Sequence, residues 1–246
     1  MTVSDNSIKM KPDIQQIGLF AGQTYSYLAL RKTIGWIGIL LPFVLMFGTR
    51  IIFKEKMTLF TISLFYYSGM RDVFVGALCA IALFMFFYRG YDKWDNRLGN
   101  IAGICALCTA WFPTTESGPQ DLPGKIHFTS AAILFTILAA FSLFLFTRKV
   151  SHPTTQKLKR NRIYIICGLV MIVCLLFILT YFIFLDVRYP GSGLVFWAET
   201  FVLVAFGISW LTKGGTLYPD PIIVKTGKIA DYQGDEWIDD METEDE

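Results

Sequence analysis

The feature that most constrains this chain is a series of six long apolar segments. They are Thr33–Thr49, Val73–Tyr88, Leu98–Phe112, Ile126–Phe146, Ile163–Leu185 and Leu194–Leu211. Most are near or at the length of about 20 apolar residues that a helix needs to cross a bilayer core. Only 17% of the residues are charged, whereas soluble domains usually carry about 25%. The sequence therefore predicts an all-α membrane protein, built as a six-transmembrane-helix bundle.

The distribution of Lys and Arg predicts how this bundle is oriented. If the N-terminus is cytoplasmic, most of the 22 Lys and Arg residues fall on the cytoplasmic side. The stretch from Arg148 to Arg162 is the most basic loop. Because cytoplasmic loops carry an excess of Lys and Arg, we expect both termini in the cytoplasm. We expect the chain to be a multi-pass protein of the cell (inner) membrane.

The same pattern divides the chain into three parts. Residues 1–32 form a cytoplasmic leader, which is either unstructured or partly an amphipathic helix over Ile14–Leu28. Residues 33–213 form the transmembrane domain. Residues 214–246 form a cytoplasmic acidic tail, which we expect to be solvated. The tail could also contact a basic partner or the chain's own basic loop at Lys157–Arg162.

Three local features indicate how the spans pack and connect. Pro42 interrupts the first span, so its neighbourhood is expected to face protein rather than lipid. Gly99 and Gly103 in the third span have the small-residue spacing that lets two helices approach closely in lipid. The external connection contains the apolar run Met57–Tyr67, which is too short to cross a bilayer. An interfacial or re-entrant segment is expected there.

Polar and aromatic residues from several spans fall at one depth near the predicted outer face. They are Tyr66, Tyr67, Arg71, Asp72, His127, Ser130, Trp197 and Glu199. Ionisable groups inside a membrane are costly, and they mark functional sites by default. The convergence predicts a polar pocket, open to the outer leaflet, that binds lipid or a small amphiphile.

Each of these residues also has a structural interpretation. Glu199 could form a buried ion pair with Arg71 that fixes the bundle rather than a ligand. Ser68 could cap the second span, and Asp72 suits the positive end of that helix. His127 could be a hydrogen-bonded residue at a helix interface.

The alternative function is an intramembrane hydrolase or transferase with His127 as general base. Asp72 or Glu199 would orient His127, and Ser130 lies three residues further along the same helical face. Ser130 lacks the glycine-flanked turn that exposes a nucleophilic serine. A small transporter is a third alternative, although no inverted repeat is visible. The sequence leaves open whether the chain is an enzyme.

No cofactor or metal is indicated. The two histidines, His127 and His152, fall on opposite sides of the membrane, which argues against a zinc site. Cys105 and Cys108 form a C-x-x-C pair in the middle of a span, where packing explains them better than redox chemistry. Membrane lipids are the expected partners and nucleic acid is not; whether the chain forms an oligomer is left open.

Several short motifs resemble those of one protein family. They are Tyr66–Gly76, Tyr88–Asp92, Asp95-Asn96, Asn100–Gly103, Phe112-Pro113, Ile126–Phe128, Arg160–Arg162, Tyr164, Phe196–Glu199 and Phe206–Trp210. In these motifs the chain resembles mostly bacterial six-span membrane proteins that contain a domain of unknown function. That family is distantly related to the autophagy-modulator and lipid-remodelling cofactor proteins of eukaryotes. The resemblance, over roughly residues 33–213, implies the six-span fold and no particular reaction.

Overall fold

Six α-helices make up most of the described chain. The computed structural model describes residues 14–54, 60–90, 92–116, 120–149, 153–185, 192–219, 224–225 and 228–229. The helices are α1 (Ile14–Ile51), α2 (Arg71–Phe87), α3 (Lys93–Trp111), α4 (Leu122–Ala140), α5 (Thr155–Thr180) and α6 (Leu194–Lys213). All six apolar segments of the sequence are therefore helical, and the all-α prediction is confirmed.

Shorter elements complete the description. Single π-helical turns extend α4 over Phe141–Leu145 and α5 over Tyr181–Leu185, and a 3-10 helix over Ser63–Tyr67 precedes α2. After α6, β1 (Val224–Lys225) pairs antiparallel with β2 (Lys228–Ile229). The first 13 residues and the acidic residues of the tail lie outside the described part of the chain.

Four of the helices are long and apolar enough to cross a membrane. These stretches are Tyr27–Ile51, Leu122–Leu145, Thr155–Phe184 and Leu194–Lys213. The 17 residues of α2 extend roughly 25 Å at 1.5 Å per residue. Its length is thus at the lower limit for a span. The first turns of α3 contain Lys93, Asp95 and Arg97, which lower its hydropathy.

The outer surface of α5 has the character of a lipid-facing helix. In the most apolar stretch of this helix the mean hydropathy is 3.0, yet only 22% of the residues are buried inside the protein. Ile166, Leu169, Val173, Leu176 and Leu179 are all exposed. An apolar face this continuous is costly in water and is stable against acyl chains. The exposed face therefore supports an integral membrane protein.

The six helices close into a ring in chain order. Each helix packs against the next one, and α6 packs against α1. The closing contact is made through glycines: a Cβ on Gly35 would lie 2.7 Å from a side-chain carbon of Leu211 and 2.9 Å from the carbonyl oxygen of Gly207. Such separations are below van der Waals contact, so the two backbones approach closely only because both positions lack a side chain.

The centre of the ring is filled by aromatic side chains around Trp210. Its indole is fully buried, and the rings of Phe84, Tyr88, Phe141 and Phe146 surround it with centroid separations between 5.1 and 6.1 Å. Three of these four rings lie edge-to-face with the indole, and such pairs add to the free energy gained by burying the rings. Trp210 therefore joins α2, α4 and α6 close to the ends of these helices.

The packing features expected from single residues are also present. Pro42 is buried within the continuous helix α1, so its neighbourhood faces protein, as expected. Gly99 approaches the carbonyl oxygen of Met85 on α2, and Gly103 contacts the ring of Phe86. Helix α1 begins at Ile14. The described part of the leader is thus helical and continuous with the first apolar segment.

Candidate functional site

The segment Phe60–Tyr67, called the capping segment below, covers one end of the bundle. This end contains the first turns of α2, α4 and α6 and the last turns of α1 and α3. Ile62 and Phe65 are buried, and they pack with Leu41, Phe74 and Phe196 in a single hydrophobic cluster. The amide of Phe196 also donates to the carbonyl of Phe60 at 3.0 Å. The described part of the apolar run between α1 and α2 thus folds back onto the bundle.

Glu199 on α6 holds the capping segment from inside the bundle. Its carboxylate accepts a hydrogen bond from the backbone amide of Ile62. A backbone amide in a buried segment needs an acceptor, and a side-chain oxygen can supply it. Glu199 therefore has a structural partner, and that partner is main chain rather than a basic side chain.

The interpretation of Arg71 and Glu199 as a buried ion pair is wrong. The guanidinium of Arg71 donates to the hydroxyl of Tyr66 at 2.6 Å and lies over the same ring, 4.3 Å from its centroid. Arg148, at the other end of the bundle, forms ion pairs with Asp92 and Asp95. Arg71 is exposed at the first residue of α2, so its charge faces outward rather than into the bundle.

His127 on α4 joins three elements at this end. Its side chain is only 3% exposed. Its Nδ1 lies 2.8 Å from the carbonyl oxygen of Phe112, which follows α3, and its Nε2 lies 2.9 Å from Oγ of Ser63 in the capping segment. Ser130 was the partner of His127 in the enzyme alternative, but the imidazole bonds to Ser63 instead.

The carbonyl of Phe112 fixes the arrangement of protons in the neutral ring. A carbonyl oxygen only accepts hydrogen bonds, so Nδ1 must carry the hydrogen. The lone pair of Nε2 then accepts the hydroxyl hydrogen of Ser63. The result is a hydroxyl held against an imidazole nitrogen that can take its proton.

Three of the remaining candidates lie apart from this contact. Asp72 is exposed in the first turn of α2, and Ser130 is half-buried one turn beyond His127. Trp197 is 47% exposed, and its ring packs on Phe196 with centroids 5.4 Å apart. Ser68 accepts from the amide of Met70 at 3.1 Å, so it fixes the turn just before α2.

Tyr67 ties the capping segment to the loop between α3 and α4. Its hydroxyl donates to the carbonyl of Thr114 at 2.8 Å, and its ring lies edge-on to that of Tyr66. Partial burial, followed by the nearby charges of Glu116 and Asp121, raises the pKa of Tyr67 above its ordinary value. The hydroxyl therefore stays protonated and remains a donor at neutral pH.

Asp121 anchors the start of α4 beside this loop. Its Oδ1 accepts from the amide of Gly124 and from the hydroxyl of Thr115, both at 2.8 Å. These bonds, the amide bond first, lower the pKa of Asp121 below its ordinary value of 3.8. Asp121 is thus an N-cap that favours its charged form.

Polar residues at the opposite end of the bundle have structural partners. Arg148 donates to Asp92 at 3.1 Å and to Asp95 at 2.8 Å, and Asp92 caps α3 through the amides of Trp94 and Asp95. The amide hydrogen bond from Asp95 is the main reason why the pKa of Asp92 lies below its ordinary range. Arg160 donates to the carbonyl of Tyr218 at 2.6 Å. These contacts fix loops and helix ends.

Few features of the sequence identify Ser63 as a candidate. Its hydroxyl is one of the few polar groups in an apolar run for which an interfacial or re-entrant segment was expected. A polar group in such a run is the one sign that could have identified it. The acceptor groups of Phe112 and Thr114 are main-chain carbonyls, and no residue type marks them. Within the described ranges, no group of three His, Cys, Asp or Glu side chains could hold a metal ion.

Comparisons with known proteins found no relative of this chain. The chain matches no protein-family model, no curated protein and no solved structure.

Proposed function

We propose that the protein is a six-span membrane protein whose capped end faces outward and recognises the headgroup of a lipid or small amphiphile. Both termini then lie in the cytoplasm. The closed ring supports six spans, because α2 and α3 pack between α1 and α4 and share one buried cluster with them. The excess of Lys and Arg on the other side supports the orientation. The resemblance of several motifs to a six-span family is in line with this arrangement.

The observation that carries the proposal is the contact between the exposed Arg71 and the half-buried ring of Tyr66. The guanidinium is held over the ring by a short hydrogen bond, so it is oriented before any ligand arrives. Arg binds phosphate through two parallel N–H groups, which makes it suited to a phosphate headgroup. The exposed side chains of Tyr67 and Trp197 are the residue types found where a membrane protein meets the headgroup layer.

The remaining polar groups at this end support the same surface indirectly. Glu199 on α6 and His127 on α4 each bond to the capping segment, and Tyr67 within it bonds to the loop between α3 and α4. Together these contacts hold the segment in place. Tyr66 lies within that segment, and Arg71 follows it at the start of α2. A rigid segment positions the guanidinium at low entropic cost on binding.

The test compares two arginines that both lie over aromatic rings. Purified protein in dodecylmaltoside is titrated with dioleoylphosphatidylglycerol, and the melting temperature is followed. We expect the lipid to raise the melting temperature of the wild type and to raise that of Arg71→Ala much less. Arg97→Ala is the matched control, since Arg97 lies 4.8 Å over the ring of Trp94 at the opposite end.

Two results of this titration would contradict the proposed site. A lipid-dependent rise that Arg71→Ala retains in full contradicts the proposed site. A rise lost equally in Arg71→Ala and Arg97→Ala also contradicts it, because general attraction between the lipid and basic residues then explains the effect. Mass spectrometry of co-purified lipid, in the wild type and both variants, gives a second measurement of the same binding.

A further inference from the structure

We propose that Ser63 and His127 form an acyl-transfer centre, in which Ser63 attacks the carboxylic ester of an amphiphile. The inference goes beyond recognition, and it rests on the proposed function only for the class of substrate. An ester whose acyl chain lies in the bilayer places its carbonyl near the headgroup layer, which is where the capping segment lies in the proposed orientation.

The geometry has the three parts that an activated nucleophile requires. The hydroxyl of Ser63 lies 2.9 Å from His127 Nε2, within the range for proton transfer. The third group, the carbonyl of Phe112, lies 2.8 Å from Nδ1 and fixes the orientation of the imidazole. The acceptor on Nδ1 is thus a backbone carbonyl, in the place where a carboxylate stands in many hydrolases.

The surroundings distinguish Ser63 from the other serines of this end. Ser63 is half-buried and therefore accessible in part, whereas His127 is largely buried behind it. The hydroxyl of Ser68 is committed to the carbonyl of Phe65 at 2.8 Å. Ser130 lies on the same helix as His127, but the imidazole bonds to Ser63 instead.

The reaction balances with the groups present. Oγ of Ser63 forms a bond to the carbonyl carbon while its proton moves to Nε2 of His127. The bond from that carbon to the leaving oxygen then breaks, and the proton on Nε2 passes to the departing alcohol. Water, activated by the same nitrogen, releases the acid and restores the serine. Nδ1 keeps its hydrogen on the carbonyl of Phe112 throughout.

The experiment uses a fluorophosphonate probe on the full chain in detergent. Attack of Oγ on phosphorus displaces fluoride, and the proton goes to Nε2, so the probe reports the nucleophile without any substrate. We expect an adduct at Ser63, identified by peptide mass spectrometry, and none in Ser63→Ala. His127→Gln can still bond to both partners but is no base, so labelling should slow by about 100-fold or more.

Ser130→Ala is the matched control and should label at the wild-type rate. If the wild type acquires no adduct under conditions that label a soluble serine hydrolase in the same tube, the proposal is overturned. An adduct at Ser63 whose rate is unchanged in His127→Gln overturns it as well. The lipid-dependent melting temperature of the wild type needs no nucleophile. Failure of labelling with that shift intact therefore rejects this centre and not the proposed function.

Discussion

The carboxylate of Glu199 accepts a hydrogen bond from the backbone amide of Ile62, 137 residues earlier in the chain. Helix α6 thereby holds the capping segment, and a second bond from the amide of Phe196 to the carbonyl of Phe60 supports it. Because these two contacts hold Phe60 and Ile62, the backbone directly before Ser63 is fixed. Glu199 is thus the side chain through which α6 determines the conformation of the capping segment.

Replacing Glu199 with alanine should release the capping segment. The amide of Ile62 would lose its acceptor in a buried position, which costs about 1–3 kcal/mol. Hydrogen exchange at Ile62–Phe65 should therefore become faster by roughly tenfold or more. Glu199→Gln keeps an oxygen acceptor and should show a smaller change. Equal exchange in the wild type and Glu199→Ala would mean that this bond does not hold the segment.

The orientation of the bundle can be measured with single cysteines at its two ends. Glu116 and Thr216 are exposed, and they lie at opposite ends of the helices. In intact cells a membrane-impermeant maleimide should label Glu116→Cys and leave Thr216→Cys unlabelled until the membrane is permeabilised. The wild type, with its five helix-borne cysteines, gives the background. Labelling of Thr216→Cys alone in intact cells would place the termini outside.

The start of α4 should lose stability in acid. The pKa of Asp121 is lowered below its ordinary value of 3.8 because the folded state bonds the charged form. Its contribution is therefore fully present above that value and is lost as the pH falls through the lower, folded-state pKa. Hydrogen exchange at residues 122–126, corrected for intrinsic rates, should show increasing opening below about pH 4. Asp121→Asn should remove this pH dependence, since asparagine also caps a helix.

The close approach of α1 and α6 should not tolerate a methyl group. A Cβ on Gly207 would overlap the carbonyl oxygen of Gly35, so Gly207→Ala should destabilise the bundle by about 1–3 kcal/mol. Gly76 is the matched control: it is also helical, and nothing lies within 4 Å of its added Cβ. Gly76→Ala should be neutral or stabilising by up to about 1 kcal/mol. Unfolding in mixed detergent micelles measures both, and equal stability of the two variants would contradict the contact.

The positions of the helices could be predicted from the sequence because apolar runs in lipid have one main solution. Every unpaired amide in a bilayer is costly, so a long apolar segment becomes helical whatever its neighbours are. The boundaries of α5 were less accurate, since the helix begins at Thr155, eight residues before the apolar run. Polar residues such as Lys157 and Arg160 extend it, and apolar length alone gives no sign of that.

The partners within the candidate site could be predicted only in part. His127 and Glu199 were identified because a polar side chain in an apolar helix needs a partner. Their actual partners, Ser63, the carbonyl of Phe112 and the amide of Ile62, depend on how the capping segment returns into the bundle. Main-chain groups are the same at every residue, so the composition of the chain contains no information on which of them will be used.

The contact between Gly35 and Gly207 has a consequence for biogenesis. Helix α1 packs more extensively on α6 than on α2, yet α6 is the last of the six to emerge from the ribosome. The N-terminal helix must therefore wait in the bilayer, with its glycine surface uncovered, while some 150 further residues are synthesised at roughly 5–20 residues per second. Ring closure is thus a late event, and a nascent chain that stops before Leu194 leaves that surface without its own partner.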